Sequence, residues 1–240
     1  DYPHEIRFSR LKSANSIICV GEQLVDHYGL KGCNHVTVIR NGVMPAGKAD
    51  QLDWDCARND LSLLIVGYLS ETKGQHIALE AFAEIQKVHS HCKLSIVGDG
   101  DTQYTEYLHS LVEQKDLKNV SFLGLQDDVS PYYLSAKYTL MCSANEAMGR
   151  VTPEAMLHGS VVIGLNNAGT AEMISDGENG VLFNREPEEL ASEVLKLEGD
   201  IQKYERIKLY ARSQAMKLYV DESYVERVFE QYQKVCDEEA

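Results

Sequence analysis

From Leu61 onward the chain alternates short apolar runs with stretches in which apolar residues recur every three or four positions. Leu61–Gly67 (LSLLIVG) is continuous, apolar and partly β-branched, the pattern of a strand buried on both faces. Gln75–His89 carries Ile77, Ala78, Ala81, Phe82, Ile85 and Val88 at the spacing of one helix face. Further strands are predicted at Leu94–Gly98, Val120–Leu125, Tyr138–Ser143, Val161–Leu165 and Val181–Phe183. Between them fall a helix through Tyr104, Leu108, Leu111 and Val112, a short one at Ser130–Ala136, one opening near Thr152 and one around Ala171–Ile174. Buried strands joined by helices predict a parallel sheet with crossover connections. The fold class is α/β: a doubly wound, Rossmann-like sheet of about six strands.

The two ends read differently. Residues 14–41 give strand, helix, strand, too little for a core of their own, and Pro45, Gly47 and mixed charges between Asn41 and Asn59 suit a linker. Behind the sheet, 187–198, 201–219 and 222–238 are successive amphipathic helices with no strand between them. A lone βα unit in front and a helical tail behind suggest one domain accompanied by pieces of another. The chain starts at Asp1 rather than Met, which reads as a processed product or a part of a longer protein.

Composition narrows the function classes. At 240 residues, 44% apolar and 25% charged, this is a globular chain with a sizeable core, and no apolar run approaches the ~20 residues needed to cross a bilayer. A net charge of −14 argues against nucleic acid, whose phosphates are met by clustered Lys and Arg, so any phosphate ligand must be held by local donors. Cys19, Cys33, Cys56, Cys92, Cys142 and Cys236 are scattered without a C-x-x-C pair, which fits a reduced cytoplasmic setting. The sequon Asn119-Val120-Ser121 then carries no meaning.

The candidate chemistry concentrates between Glu146 and Gly164. There Glu146 and Glu154 flank a loop containing Gly149, Thr152-Pro153 opens a helix with Thr152 as N-cap, and an apolar strand follows. In a doubly wound sheet this loop, after the fourth strand, faces the loop Gly67-Tyr68-Leu69-Ser70-Glu71-Thr72-Lys73-Gly74 after the first, so Lys73 shares a crevice with both glutamates. Lys73 at a helix entrance suits a phosphate, or is a solvated lysine at a loop end. Glu154 holds a sugar diol, or merely complements a helix dipole. Gly98-Asp99-Gly100-Asp101 either approaches a ligand or turns the chain. No G-x-G-x-x-G follows the first strand, no G-x-S-x-G elbow is present, and the histidines lack metal spacing. His89, His91 and His158 read as water-facing or helix-end residues, and Tyr132-Tyr133 as packing.

These segments resemble the C-terminal domain of retaining glycosyltransferases of family 4, which have the GT-B architecture. ANSIICVGEQLVDHYG is similar to the last strand and helix of that family's N-terminal domain, and HVTVIRNGV to its interdomain segment. LLIVGYLSETKG, KLSIVGDGD and VSFLGLQDDV resemble its first three strands and loops, and EAMGRVTPEAMLHGSVVIGLNNAGTAEMISDGENGVLF its donor-site signature, the most specific of the set. The resemblance implies residues 1–42 as a remnant of the N-terminal domain with the interdomain strand, 43–220 as the nucleotide-sugar-binding domain, and 221–240 as a crossover helix.

The resemblance also implies a nucleotide-diphosphate sugar as donor, no cofactor and no metal, with Lys73 neutralising the diphosphate. Glu146 would hold hydroxyls of the transferred sugar, Glu154 the ribose diol, amides around Gly149–Val151 the sugar or distal phosphate, and Gly124 and Leu125 the base. The family's arginine after the first strand is Tyr68 here, and Arg150 stands where an apolar residue is usual. Arg150 therefore either restores the lost charge from across the crevice, or points to solvent or pairs with an acid. The acceptor site, the catalytic loops and any peripheral membrane association would belong to the N-terminal domain, so this chain alone is expected to bind donor and transfer little. A nucleotide-binding module, or one subunit of a split enzyme, is the alternative, and a sugar-nucleotide epimerase of the same architecture fits the signature less well.

Overall fold

Tyr138–Met141 and Val161–Leu165 are buried at every position, which only the centre of a two-sided sheet allows. The computed structural model describes residue 11 and residues 13–43 and 60–238. The elements are β1 (Ile17–Cys19), α1 (Glu22–His27), β2 (Val36–Val38), β3 (Ser62–Val66), a 3₁₀ turn (Glu71–Lys73), α2 (Gln75–Val88), β4 (Lys93–Val97) and α3 (Thr102–Gln114). They continue with β5 (Val120–Phe122), α4 (Ser130–Ser135), β6 (Tyr138–Met141), α5 (Val151–Leu157), β7 (Val161–Leu165) and α6 (Ala168–Met173). The last are β8 (Val181–Phe183), α7 (Pro187–Glu198), α8 (Ile201–Leu218) and α9 (Asp221–Glu238).

Strands β3 to β8 form one six-stranded sheet in the order β5-β4-β3-β6-β7-β8, parallel throughout. Alternation along each strand divides the core in two. Leu63, Ile65, Leu94, Ile96, Leu140 and Ile163 face α2, α3 and α7. Leu64, Val97, Met141 and Val162 face Tyr133 of α4, Ala155–Leu157 of α5, and Ala211 and Ala215 of α8.

The expected doubly wound sheet is thus the observed one, with two local differences. The third and fourth strands end at Phe122 and Met141, earlier than the apolar runs suggest, because Gly124 turns with φ 66° and Ala144 N already bonds Thr72 O across the loops. Thr152 is not the N-cap of α5: the helix starts at Val151 after Arg150 in helical conformation, and Thr152 lies buried inside the first turn.

Outside this sheet, β1 and β2 pair in parallel around α1. Val43 N bonds Tyr219 O at 2.7 Å, joining the start of the expected linker to the end of α8. The rest of that linker, 44–59, and Cys56 lie outside the described residues. Gln231 of α9 donates to Ser16 Oγ at 2.9 Å and accepts from Thr37 Oγ1 at 3.2 Å, so the last helix reaches the small β1-β2 unit.

At the amino end of the sheet, away from the crevice, Lys137 pairs with Glu198 at 2.6 Å, their side chains 10% and 14% exposed. Tyr138 OH donates to the same carboxylate at 2.7 Å, and Lys137 Nζ lies 5.1 Å from the Tyr204 ring centroid. Breaking one side of a buried pair strands the other charge. Lys137→Met is expected to lower the unfolding free energy by about 3 kcal/mol, read by urea unfolding, and adding Glu198→Gln should return most of it.

Candidate functional site

Strands β3 and β6 are neighbours, yet the chain leaves them in opposite directions, to α2 on one face and α5 on the other. A crevice must open beyond their carboxyl ends. A cavity of about 250 Å³ lies there, and Tyr68, Lys73, Glu146, Gly149, Arg150 and Val151 are among its walls. Lys73 Nζ forms an ion pair with Glu146 Oε1 across it, the two side chains 34% and 13% exposed. The sequence placed these residues on one crevice, and the structure does the same.

Lys73 is aimed by a short, over-determined loop. The 3₁₀ turn carries it, and Gly74 follows in the left-handed region with φ 72°. A Cβ at Gly74 would stand 2.5 Å from Cys142 O, so only glycine lets the β3 and β6 loops meet. Ala144 N then donates to Thr72 O at 2.9 Å, and buried Gln75 donates from Nε2 to Tyr68 O at 3.0 Å. Gly98 and Gly100 answer the two readings of the Gly-Asp-Gly-Asp segment: a Cβ on either would overlap the backbone of Gly67 or Leu69. They bring two loops together, and Asp101 caps α3 by accepting from Tyr104 N at 2.8 Å. Cys142, behind the cavity, is fully buried and its thiol is pushed up to about 12 by desolvation, so it serves as a small apolar residue.

Glu146 sits on a loop whose carbonyls are captured from several sides. Gly169 N donates to Glu146 O at 2.8 Å, Asn167 Nδ2 to Ala144 O, and Gln23 Nε2 to Glu146 O and, at 2.9 Å, to Ala147 O. Gly149 is buried where a Cβ would overlap the Met141 side chain. Val151 opens α5, and Thr152 N already donates to Gly149 O at 3.3 Å and Glu154 N to Arg150 O at 3.1 Å.

Glu154, one turn further on, is turned away from the cavity lining. Its Oε2 accepts from Tyr133 OH at 3.0 Å and its Oε1 meets Arg150 Nη2 at 3.2 Å. Burial raises the Glu154 carboxyl above its usual range, with Tyr133 and Arg150 partly offsetting. Arg150 lines the cavity while pairing with this acid, 63% exposed. Gly124 and Leu125 are not drawn into the cavity: Gly124 O accepts from Gly98 N at 2.8 Å, and Leu125 is 80% exposed beyond β5. His158 ends α5 with Nδ1 2.7 Å from Glu154 O, a helix-end residue as expected. Tyr133, buried against α5, packs and also fixes Glu154, a second role that no sequence pattern signalled. Gln23 and Glu172 were missed for the same reason: their contacts join segments about 150 residues apart.

No group of three or more His, Cys, Asp or Glu could hold a metal among the described residues, and no helix among them is long and apolar enough to cross a membrane.

The crevice thus lies at the β3/β6 switch point of a doubly wound sheet, with a lysine and a paired glutamate on facing loops. The family model for glycosyl transferases group 1 matches residues 54–214, and the chain belongs to that family. It is 30% identical over 182 residues to spore coat protein SA of Bacillus subtilis, covering 72% of this chain and 48% of that protein. It is 29% identical over 191 residues to the lipopolysaccharide core biosynthesis glycosyltransferase LpsE of Rhizobium meliloti, covering 77% and 53%. The chain thus spans about half the length of the curated relatives it matches. In fold it is similar to Anabaena Alr3699/HepE in complex with UDP-glucose, TM-score 0.83 at 23% identity, covering 96% of this chain and 67% of that one. A glycosyltransferase from Rickettsia africae gives 0.84 at 18%, covering 98% and 68%. The resemblance to the C-terminal domain of such enzymes is borne out in family and fold.

The raised Glu154 carboxyl has a signed consequence. The folded state keeps this proton to higher pH than the unfolded chain, so the contribution is full below the unfolded carboxylate pKa and is lost as pH rises through the folded value. Glu154→Gln should therefore gain in melting temperature relative to the parent as pH rises above about 4. A constant difference as pH rises would contradict a raised carboxyl.

Proposed function

We propose that this chain is the donor-binding part of a retaining glycosyltransferase that moves a hexosyl group from a nucleotide-diphosphate sugar to a glycan, lipid or other acceptor, in cell-surface polysaccharide or glycoconjugate synthesis. The observation that carries the reading is the Lys73–Glu146 pair spanning the switch-point cavity. It holds a cation and an acceptor of hydroxyl protons side by side, which a diphosphate joined to a sugar needs. Names among the relatives and fold neighbours, a lipopolysaccharide core glycosyltransferase and a UDP-glucose complex, support the substrate class.

On this reading the donor divides the pair. The diphosphate draws Lys73, the sugar hydroxyls donate to Glu146, and the amides at Gly149–Val151 take the sugar or distal phosphate. Arg150 swings from Glu154 to the diphosphate and supplies the charge that Tyr68 lacks, which frees Glu154 for the ribose diol. Gly124 and Leu125 border the base. Stabilising the departing diphosphate is the main catalytic contribution, made by Lys73 and Arg150 without a metal. Residues 43–220 form the donor domain, while the acceptor is bound by an N-terminal domain, which also makes any peripheral membrane contact, in the cytoplasm. Because the chain spans half of its relatives, a nucleotide-binding module or split-enzyme subunit without independent catalysis is the second reading.

A thermal-shift panel of UDP, GDP, ADP and their sugar conjugates tests the proposal: one nucleotide series should stabilise the chain, and no shift with any would overturn it. Lys73→Ala should weaken binding of that nucleoside diphosphate about 10- to 100-fold, as loss of a charge-assisted contact does. Arg150→Ala should weaken the diphosphate far more than the nucleoside, and equal losses would remove Arg150 from the phosphate site. The chain by itself should show little or no glycosyl transfer, so robust turnover would refute its being only the donor half.

A further inference from the structure

The loop that carries Glu146 is held from outside its own domain. The Gln23 side-chain amide donates from a single nitrogen to two consecutive carbonyls, Glu146 O and Ala147 O. Both hydrogens of that amide are used, so the loop backbone cannot rotate at Glu146 or Ala147 without losing one of them. Gln23 itself is set by Glu172, whose carboxylate accepts from Glu22 N at 2.9 Å and Gln23 N at 2.6 Å, with Arg40 Nη2 3.5 Å away. A Cβ at Gly21 would stand 2.9 Å from Ala147 O and 3.1 Å from Glu172 Oε2, so this approach needs a glycine. Asn41 N adds a contact to Met148 Sδ at 3.0 Å. The small β1-α1-β2 unit therefore grips three successive residues of the loop, while Gly169 holds Glu146 O from the α6 side.

We propose that Gln23, locked by Glu172, is a positioning residue that fixes the Glu146 carboxylate for the sugar half of the donor, so that movement of the β1-α1-β2 unit is transmitted to sugar recognition. The proposal rests on the donor-site reading for its ligand and on the loop contacts for its geometry. Lys73, the diphosphate's main cation on this reading, sits on the β3 loop, whereas the Gln23 side chain bonds the Glu146 loop, so the two halves of the donor should respond differently. A displacement of about 1 Å at a group that orients substrate costs heavily in recognition while leaving the fold intact.

Gln23→Ala and Glu172→Gln are tested in the full 240-residue chain. Hydrogen–deuterium exchange without ligand should rise about tenfold at the amides of residues 145–149, as loss of one to two hydrogen bonds predicts, and stay unchanged in β7. Calorimetric titration with UDP and UDP-glucose, GDP and GDP-mannose, and ADP and ADP-glucose should show the diphosphate affinity within about twofold of the parent. The extra affinity of the matching sugar conjugate should fall by about fivefold or more. Unchanged exchange at 145–149 would overturn the proposal whatever binds. Equal losses for diphosphate and sugar conjugate would also overturn it, by showing general damage to the site. If the parent binds no nucleotide, the donor-site reading fails by itself, and Gln23 as the anchor of the Glu146 backbone stands or falls on the exchange result.

Discussion

Neighbouring parallel strands whose chains depart to opposite faces of the sheet cannot close the space between their ends. Here β3 and β6 are that pair, and α2 and α5 are the helices that part. The order of the sheet therefore creates the crevice, and the site residues occupy it because they lie on the loops just after those two strands. Lys73 and Glu146, 73 positions apart in sequence, become an ion pair through topology alone. Burial then sharpens the arrangement: the mostly buried Glu146 meets Lys73 in a cavity of about 250 Å³, where their attraction is less screened than at the open surface.

Much of this could be read from the chain because apolar runs such as Val161–Leu165 are buried strands wherever they fall, and because Gly74 marks a place where backbones must meet. What resisted reading was local geometry decided by distant partners. Thr152 looks like a cap, yet Arg150 is already helical and the threonine is swept inside the first turn. Val120–Leu125 looks like a longer strand, yet Gly124 turns it. Gln23 and Glu172 belong to no motif; their meaning exists only once residues far apart in sequence are adjacent, and hydrophobic periodicity carries no information about such polar contacts.

Acid–base environment follows the same division. At the amino end of the sheet Glu198 pairs with Lys137 and accepts from Tyr138 OH, and Lys137 lies against the Tyr204 ring. At the carboxyl end burial raises Glu154, whose side-chain partners are Tyr133 and Arg150.

The glycine contacts among the loops have a different consequence. Where Gly98 lies on Gly67, Gly100 on Leu69 and Gly74 on Cys142, main chain rests directly on main chain. Such a wall has no rotamers to exchange, and its spacing is set by the thickness of a peptide plane. The Lys73 side of the crevice therefore has walls of fixed spacing, whereas the side bounded by Arg150 is made by a long, exposed side chain that can change rotamer.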